Sequence, residues 1–189
     1  RRLRQTKWIR DLVSENPIST KDLVLPIFVR EGTKIIEPIK ALSGVNRLSI
    51  DLVVDEAKKA FDLGIPCIAL FPCTPARLKT EDCQEAWSHD NLVNVATRKI
   101  KEVVPDIGIM LDVALDPYNS LGHDGLVEDG KVLNDETLEA LEKQALSHAD
   151  NGANILGPSD MMDGRIGKIR KALEDNNHKD VLIMSYAAK

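Results

Sequence analysis

The chain has 189 residues, 43% hydrophobic and 29% charged, with a net charge of −5 at pH 7. That length accommodates one domain with a sizeable core, and the balance excludes a disordered or fibrous protein. The acidic excess argues against nucleic acid as a partner, no run approaches the ~18 apolar residues of a membrane span, and three cysteines without a CxxC pair argue against a disulfide framework or structural zinc and for a reducing cytoplasm or a similar organelle interior.

Basic residues gather only in Arg1-Arg-Leu-Arg4, continued by Lys7 and Arg10. With so little else basic, residues 1–20 read as an arm that packs on a partner subunit rather than as a nucleic-acid contact. The start of the chain is charged and lacks the apolar stretch of a signal peptide. Residues 21–189 read as alternating strands and helices. Residues 23–29 are a short strand, with Pro26 arguing for an edge or an irregular start. Residues 48–63 have helical spacing, with Asp51 as N-cap and Gly64 as the stop. Residues 67–71 are a second strand in which Cys67 reads as core, followed by a polar loop to about residue 90. A helix over 91–104 ends at Pro105, and 107–113 is the third strand. After a glycine-containing loop, Asn134 is expected to cap a helix through His148 that Gly152 stops. A fourth strand lies near Ile155, a helix over about 162–174, and a fifth strand over 181–186.

The strands are continuously apolar, as in a parallel sheet covered on both faces or a barrel interior. Strands alternating with helices make this an α/β fold, either an open doubly wound sheet or part of a (β/α)8 TIM barrel. No Gly-x-Gly-x-x-Gly follows the first strand, so dinucleotide binding has no support. A full barrel takes ~250 residues. The chain is expected to cover roughly the first five β/α units, and the natural protein is expected to continue past Lys189, because a last strand there would be an open edge.

In either architecture the active site gathers at the carboxyl ends of the strands. The third strand end offers Asp112, Asp116, Tyr118, His123 and Asp124. The fourth offers Ser159, Asp160 and Asp163, and the fifth Ser185, Tyr186 and Lys189. A lysine desolvated at a strand end has a lowered pKa and can act as an imine-forming nucleophile, and carboxylates around it can move the protons of the carbinolamine. Asp112 interrupts an apolar strand. A buried carboxylate without a partner costs several kcal/mol, so one is expected, and a lysine is the natural candidate. Other readings stand beside these. Asp160 or Asp163 could cap the next helix, Asp116 before Pro117 could be a turn residue, and His123 could be a loop hydrogen bonder. His148 reads as structural, and Met161 and Met162 as packing. The residues alone reach a lysine-dependent lyase or aldolase-like barrel without a substrate.

At Leu25-Pro-Ile-Phe-Val29, Gly44-Val-Asn-Arg47, Ala69-Leu-Phe-Pro72, residues 112–125, Pro158-Ser-Asp-Met-Met-Asp-Gly-Arg165 and Met184-Ser-Tyr-Ala-Ala-Lys189, the chain resembles the porphobilinogen synthase (5-aminolevulinate dehydratase) family along its whole length. The resemblance implies a (β/α)8 barrel with an arm that wraps a neighbour, giving homo-oligomers, commonly octamers. It implies condensation of two 5-aminolevulinate molecules to porphobilinogen, with loss of two waters, in heme and other tetrapyrrole biosynthesis. Lys189 would be one of two Schiff-base lysines, the other lying beyond this chain. Asp112 would assist proton transfer, with Asp116, Asp124, Ser159, Asp160 and Tyr186 around it. Zinc-dependent members carry three cysteines where this chain has Ala114, Asp116 and Asp124. Carboxylates suit magnesium rather than zinc, so the zinc-independent branch is implied. Magnesium is expected at an allosteric site and no catalytic zinc; Asp116 and Asp124 either hold a metal or organise water and substrate. Ser43, where the family often has proline, implies a local loop change. A class I aldolase-type lyase and a non-catalytic barrel fragment are the alternatives.

Overall fold

A computed structural model describes residues 1–187 of the chain. A short helix, α1 (Lys7–Leu12), precedes β1 (Val24–Arg30), β2 (Ile36–Pro38) and β3 (Asn46–Ser49). Then come α2 (Ile50–Asp62), β4 (Cys67–Pro72), α3 (Leu92–Val103) and β5 (Gly108–Val113). A small hairpin of β6 (Val127–Glu128) and β7 (Lys131–Val132) leads to α4 (Asn134–Asp150), β8 (Ile155–Pro158), α5 (Arg165–Asp175) and β9 (Leu182–Ile183).

Seven strands make one sheet in the order β2-β3-β1-β4-β5-β8-β9. In the run β1-β4-β5-β8-β9 each strand lies parallel beside the one before it, while β3 pairs parallel with the other side of β1 and β2 antiparallel with β3. Apolar side chains alternate between the two faces of the strands. Ile68, Leu70, Ile109, Leu111, Val113 and Leu156 join residues of all four helices α2–α5 in a single core. Cys67, Ala69 and Met110, with Phe71 and Ile155, form a separate cluster. A doubly wound sheet reverses its strand order at a switch point and carries helices on both faces. Here the run β1-β4-β5-β8-β9 proceeds in one direction, with β2 and β3 added at its start, and the helices share one core on one face, which is the arrangement of a (β/α)8 barrel wall. Of the two expected architectures, the barrel is the one formed, over five strands.

Several boundaries differ from those the sequence suggests. β2 and β3 were not expected. Leu48 belongs to β3 rather than to α2, and Ser49, not Asp51, occupies the N-cap. Asp51 instead accepts from the Ser49 hydroxyl at 2.6 Å and from the Lys34 N–H at 2.9 Å. Asn134 is the first residue of α4, after Leu133 at the N-cap. α5 begins at Arg165 rather than near Met162, and the fifth strand is confined to Leu182–Ile183. Pro26 bonds along β4 on one side, while β3 pairs only with Phe28, Val29 and Arg30 on the other. Its missing N–H therefore falls where β1 is an edge.

Asn91 does cap its helix. Its side-chain oxygen accepts from the Asn94 N–H at 2.9 Å, and its amide donates to the Ala86 carbonyl at 3.1 Å, both in a fully buried setting. Asn91→Ala removes both bonds, and a loss of about 1–2 kcal/mol is expected, read as a lower urea midpoint at unchanged m-value.

Candidate active site at the carboxyl ends of the strands

Asp112 occupies the last turn of the β5 pleat, opposite Gly157 of β8. Leu111 and Val113 point into the helix-side core, so alternation sends the Asp112 side chain to the opposite, concave face with Met110. One carboxylate oxygen of Asp112 is fully buried. Gly157 keeps space beside it: a side chain there would run into Met110 and, at 3.1 Å, into the Tyr186 ring. The concave face holds a cavity of about 390 Å3 lined by Val24, Pro26, Ala69, Phe71, Met110 and residues 184–187.

Charges at this rim act on two phenols. Burial raises the pKa of Tyr186, and the Asp112 carboxylate adds to it. Tyr118 is fully buried. Burial first, then the charges of Asp112, Glu85 and Asp116, push its phenol far above the usual range, so it stays protonated. Asp112, Asp116, Tyr118 and Tyr186 therefore share one electrostatic neighbourhood. Asp116 itself is exposed and Asp124 half-buried.

Asp160 is buried at 1% exposure. Burial raises its pKa, the Met162 N–H and the Arg165 charge oppose this, and the Asp124 carboxylate adds to it. Asp124 and Asp160 are thus brought within electrostatic reach. Neither Asp160 nor Asp163 caps α5, whose N-cap is Gly164 at φ +84°, a left-handed conformation that suits glycine. Asp160 closes a turn by accepting from the Met162 N–H at 2.8 Å. Asp163 donates its N–H to the Asn134 side-chain oxygen at 2.8 Å. Ser159 is half-buried and donates its N–H to the Val113 carbonyl at 3.3 Å, tying the ends of β8 and β5 together.

His123 accepts from the Gly125 N–H at 3.1 Å, a loop hydrogen bond. Cys67 and Cys83 are buried, Cys73 is exposed, and all three are free. Lys189 lies outside the described residues. Sequence reasoning gave no role to Arg165, which contacts Asp160, Met162 and Tyr186; its place in the quoted Asp-Gly-Arg run was the available signal. As for a metal, no group of three His, Cys, Asp or Glu that could hold one occurs among the described residues. No helix among the described residues is long and apolar enough to cross a membrane.

Fold and rim together define a (β/α)8-barrel protein whose polar groups converge at the carboxyl ends of its strands. The family model for delta-aminolevulinic acid dehydratase matches residues 1–189, and the chain belongs to that family. It is 50% identical over 189 residues to the delta-aminolevulinic acid dehydratase of Bradyrhizobium diazoefficiens, covering all of this chain and 54% of the relative. The Rhodobacter capsulatus protein of the same name is also 50% identical, with 57% of its length covered. A crystal structure of the Toxoplasma gondii delta-aminolevulinic acid dehydratase in complex with its reaction product porphobilinogen superposes with a TM-score of 0.95 at 39% identity. It covers all of this chain and 54% of that one. The chain thus spans about half the length of these relatives. The comparisons favour neither the aldolase alternative nor the non-catalytic fragment.

Proposed function

We propose that the chain supplies half of the catalytic barrel of a porphobilinogen synthase, a lyase that condenses two 5-aminolevulinate molecules with loss of two waters in heme and porphyrin biosynthesis. The observation that carries the reading is the match of the whole chain to this family, with Asp112 and Tyr186 placed together on the concave face just ahead of Lys189. The Lys189 amine attacks the substrate ketone, the carbinolamine forms, and loss of hydroxide as water leaves the protonated imine. Each step moves a proton between nitrogen and oxygen, and Asp112 is assigned to carry it. The apolar side chains of Phe71, Met110 and Met184 line the cavity on this face, and Tyr186, kept protonated, can donate a hydrogen bond to the departing oxygen.

Asp116 and Asp124 are assigned to ordering water and substrate amino groups. Magnesium, implied by the resemblance, is proposed at an allosteric site away from the reacting atoms. Homo-octamer assembly is proposed on the same resemblance, with residues 1–20 reaching a partner subunit. Trp8 and Ile18 on that arm are 67% and 84% exposed. A cytoplasmic location is proposed from the three free thiols, although relatives such as that of Physcomitrium patens are chloroplastic.

Borohydride trapping with 5-aminolevulinate, followed by peptide mass mapping, tests the reading. A substrate adduct on Lys189 is expected. Absence of any adduct on a lysine of the protein that contains this chain would sink it.

A further inference from the structure

We propose that Arg165 is a positioning residue that fixes the approach of the Lys189-bearing segment by tying it to the turn after β8. The proposal rests on the imine role given to Lys189 above. Its observations are independent of that role.

Arg165 is the first residue of α5, directly after the left-handed Gly164. Its guanidinium reaches three places. Nη1 donates to the Met162 carbonyl at 3.2 Å, and Nη2 donates to the Tyr186 carbonyl at 3.4 Å, across 21 residues of sequence. Nε lies 3.4 Å from Asp160 Oδ2, an ion pair whose alignment falls short of a hydrogen bond. The Asp160 side chain is wholly buried and that of Arg165 is 19% exposed, so the contact is held out of water. The turn is itself anchored. Asp160 holds the Met162 N–H, while Asn134 at the start of α4 accepts from the Asp163 N–H and donates to the Asp163 carbonyl.

On the other side of the contact the sheet is near its end. β9 is only Leu182–Ile183, and its last sheet bond is Met184 N–H to the Leu156 carbonyl at 2.8 Å. Residues 184–187 are exposed. Among the described residues, the Arg165 bond to Tyr186 is the hydrogen bond that reaches this segment beyond Met184. Lys189 follows Tyr186 by three positions. A planar fork with several fixed N–H donors can serve carboxylate and two carbonyls at once; an ammonium on a flexible stem cannot hold all three. A reacting group misplaced by about 1 Å can lose ~100-fold in rate, so a tether at this point governs attack without touching substrate.

The test uses the full-length protein that contains this chain, with Arg165→Lys and Arg165→Met. Hydrogen–deuterium exchange followed by mass spectrometry is read first, on peptides covering 182–187 and 108–113. Exchange in 182–187 is expected to rise about tenfold in both variants, with 108–113 unchanged. The rate of borohydride-trapped adduct formation at Lys189 is expected to fall about 10- to 100-fold, through kcat more than KM. Unchanged exchange in 182–187 in both variants overturns the proposal. A rise of equal size in 108–113 also overturns it, because Arg165 would then serve general stability. If the unaltered protein gives no adduct, the imine reading fails, and the exchange result still decides whether Arg165 holds the segment.

Discussion

Asp112→Asn is expected to lower kcat for porphobilinogen formation about 100- to 10,000-fold, the range associated with loss of a positioned acid–base group. The substitution keeps shape and removes charge and proton affinity. The side chain stands on the concave face at the end of β5, with Gly157 opposite and the Tyr186 ring alongside. Its carboxylate contributes to the raised pKa of both Tyr186 and Tyr118. Removing that charge should therefore move at least Tyr186 ionisation to lower pH, an effect visible in the ultraviolet spectrum of alkaline samples. The kinetic assay needs the whole protein, since half of the relatives' length lies outside this chain. A kcat within threefold of the unaltered protein would remove Asp112 from the proton-transfer role, even if the tyrosine shift were observed.

The parts of the fold that were legible in the sequence are those whose burial is extreme. Residues 67–71 and 107–111 are uninterrupted apolar runs because both faces of β4 and β5 are covered, one by helices and one by the concave cluster. β2 and β3 carry no such signal. Glu37, Asn46 and Arg47 are polar and half-buried, and their strand conformation comes from pairing. Arg47 donates to Glu37 across the two strands at 2.6 Å, Arg30 of β1 also contacts Glu37, and β3 pairs with β1 at residues distant in sequence. The late start of α5 was hidden for a different reason. Methionine and aspartate at 161–163 are compatible with helix, but the Asp160 turn and the clamp from Asn134 hold the chain outside one until Gly164. At the site, Asp112 was legible as a charge inside an apolar strand. The reach of Arg165 to Tyr186 was not, because it depends on how β8 and β9 lie side by side.

Lowering the pH from 7 to 5 is expected to cost about 2 kcal/mol of stability through His148 alone, out of roughly 3 kcal/mol available to this group. His148 is fully buried on α4, and burial lowers its pKa from 6.5 to about 4. The neutral tautomer follows from its partner. The Asn94 amide nitrogen donates to the Ser88 carbonyl and to the Ser147 hydroxyl, each at 2.9 Å, which leaves the Asn94 oxygen to accept from His148 Nδ1–H at 2.8 Å. Nε2 then carries a lone pair and makes no hydrogen bond. Protonating it would offer a donor to the Asp112 backbone, which favours the cation, but the desolvation of that cation outweighs the gain. Between pH 6.5 and 4 the unfolded imidazole holds a proton that the native one does not. Stability therefore rises with pH across this window and falls as pH drops through it; below about 4 both states are protonated and this group adds no further loss. Asp160 works in the opposite sense, since its raised pKa favours the native state as pH falls. The comparison that isolates His148 is therefore urea unfolding at pH 7 and pH 5 for the unaltered protein and for His148→Gln. The variant is expected to be less stable at pH 7 but to lose about 2 kcal/mol less between the two pH values. Equal losses in both proteins would mean that His148 is not held neutral in the native state.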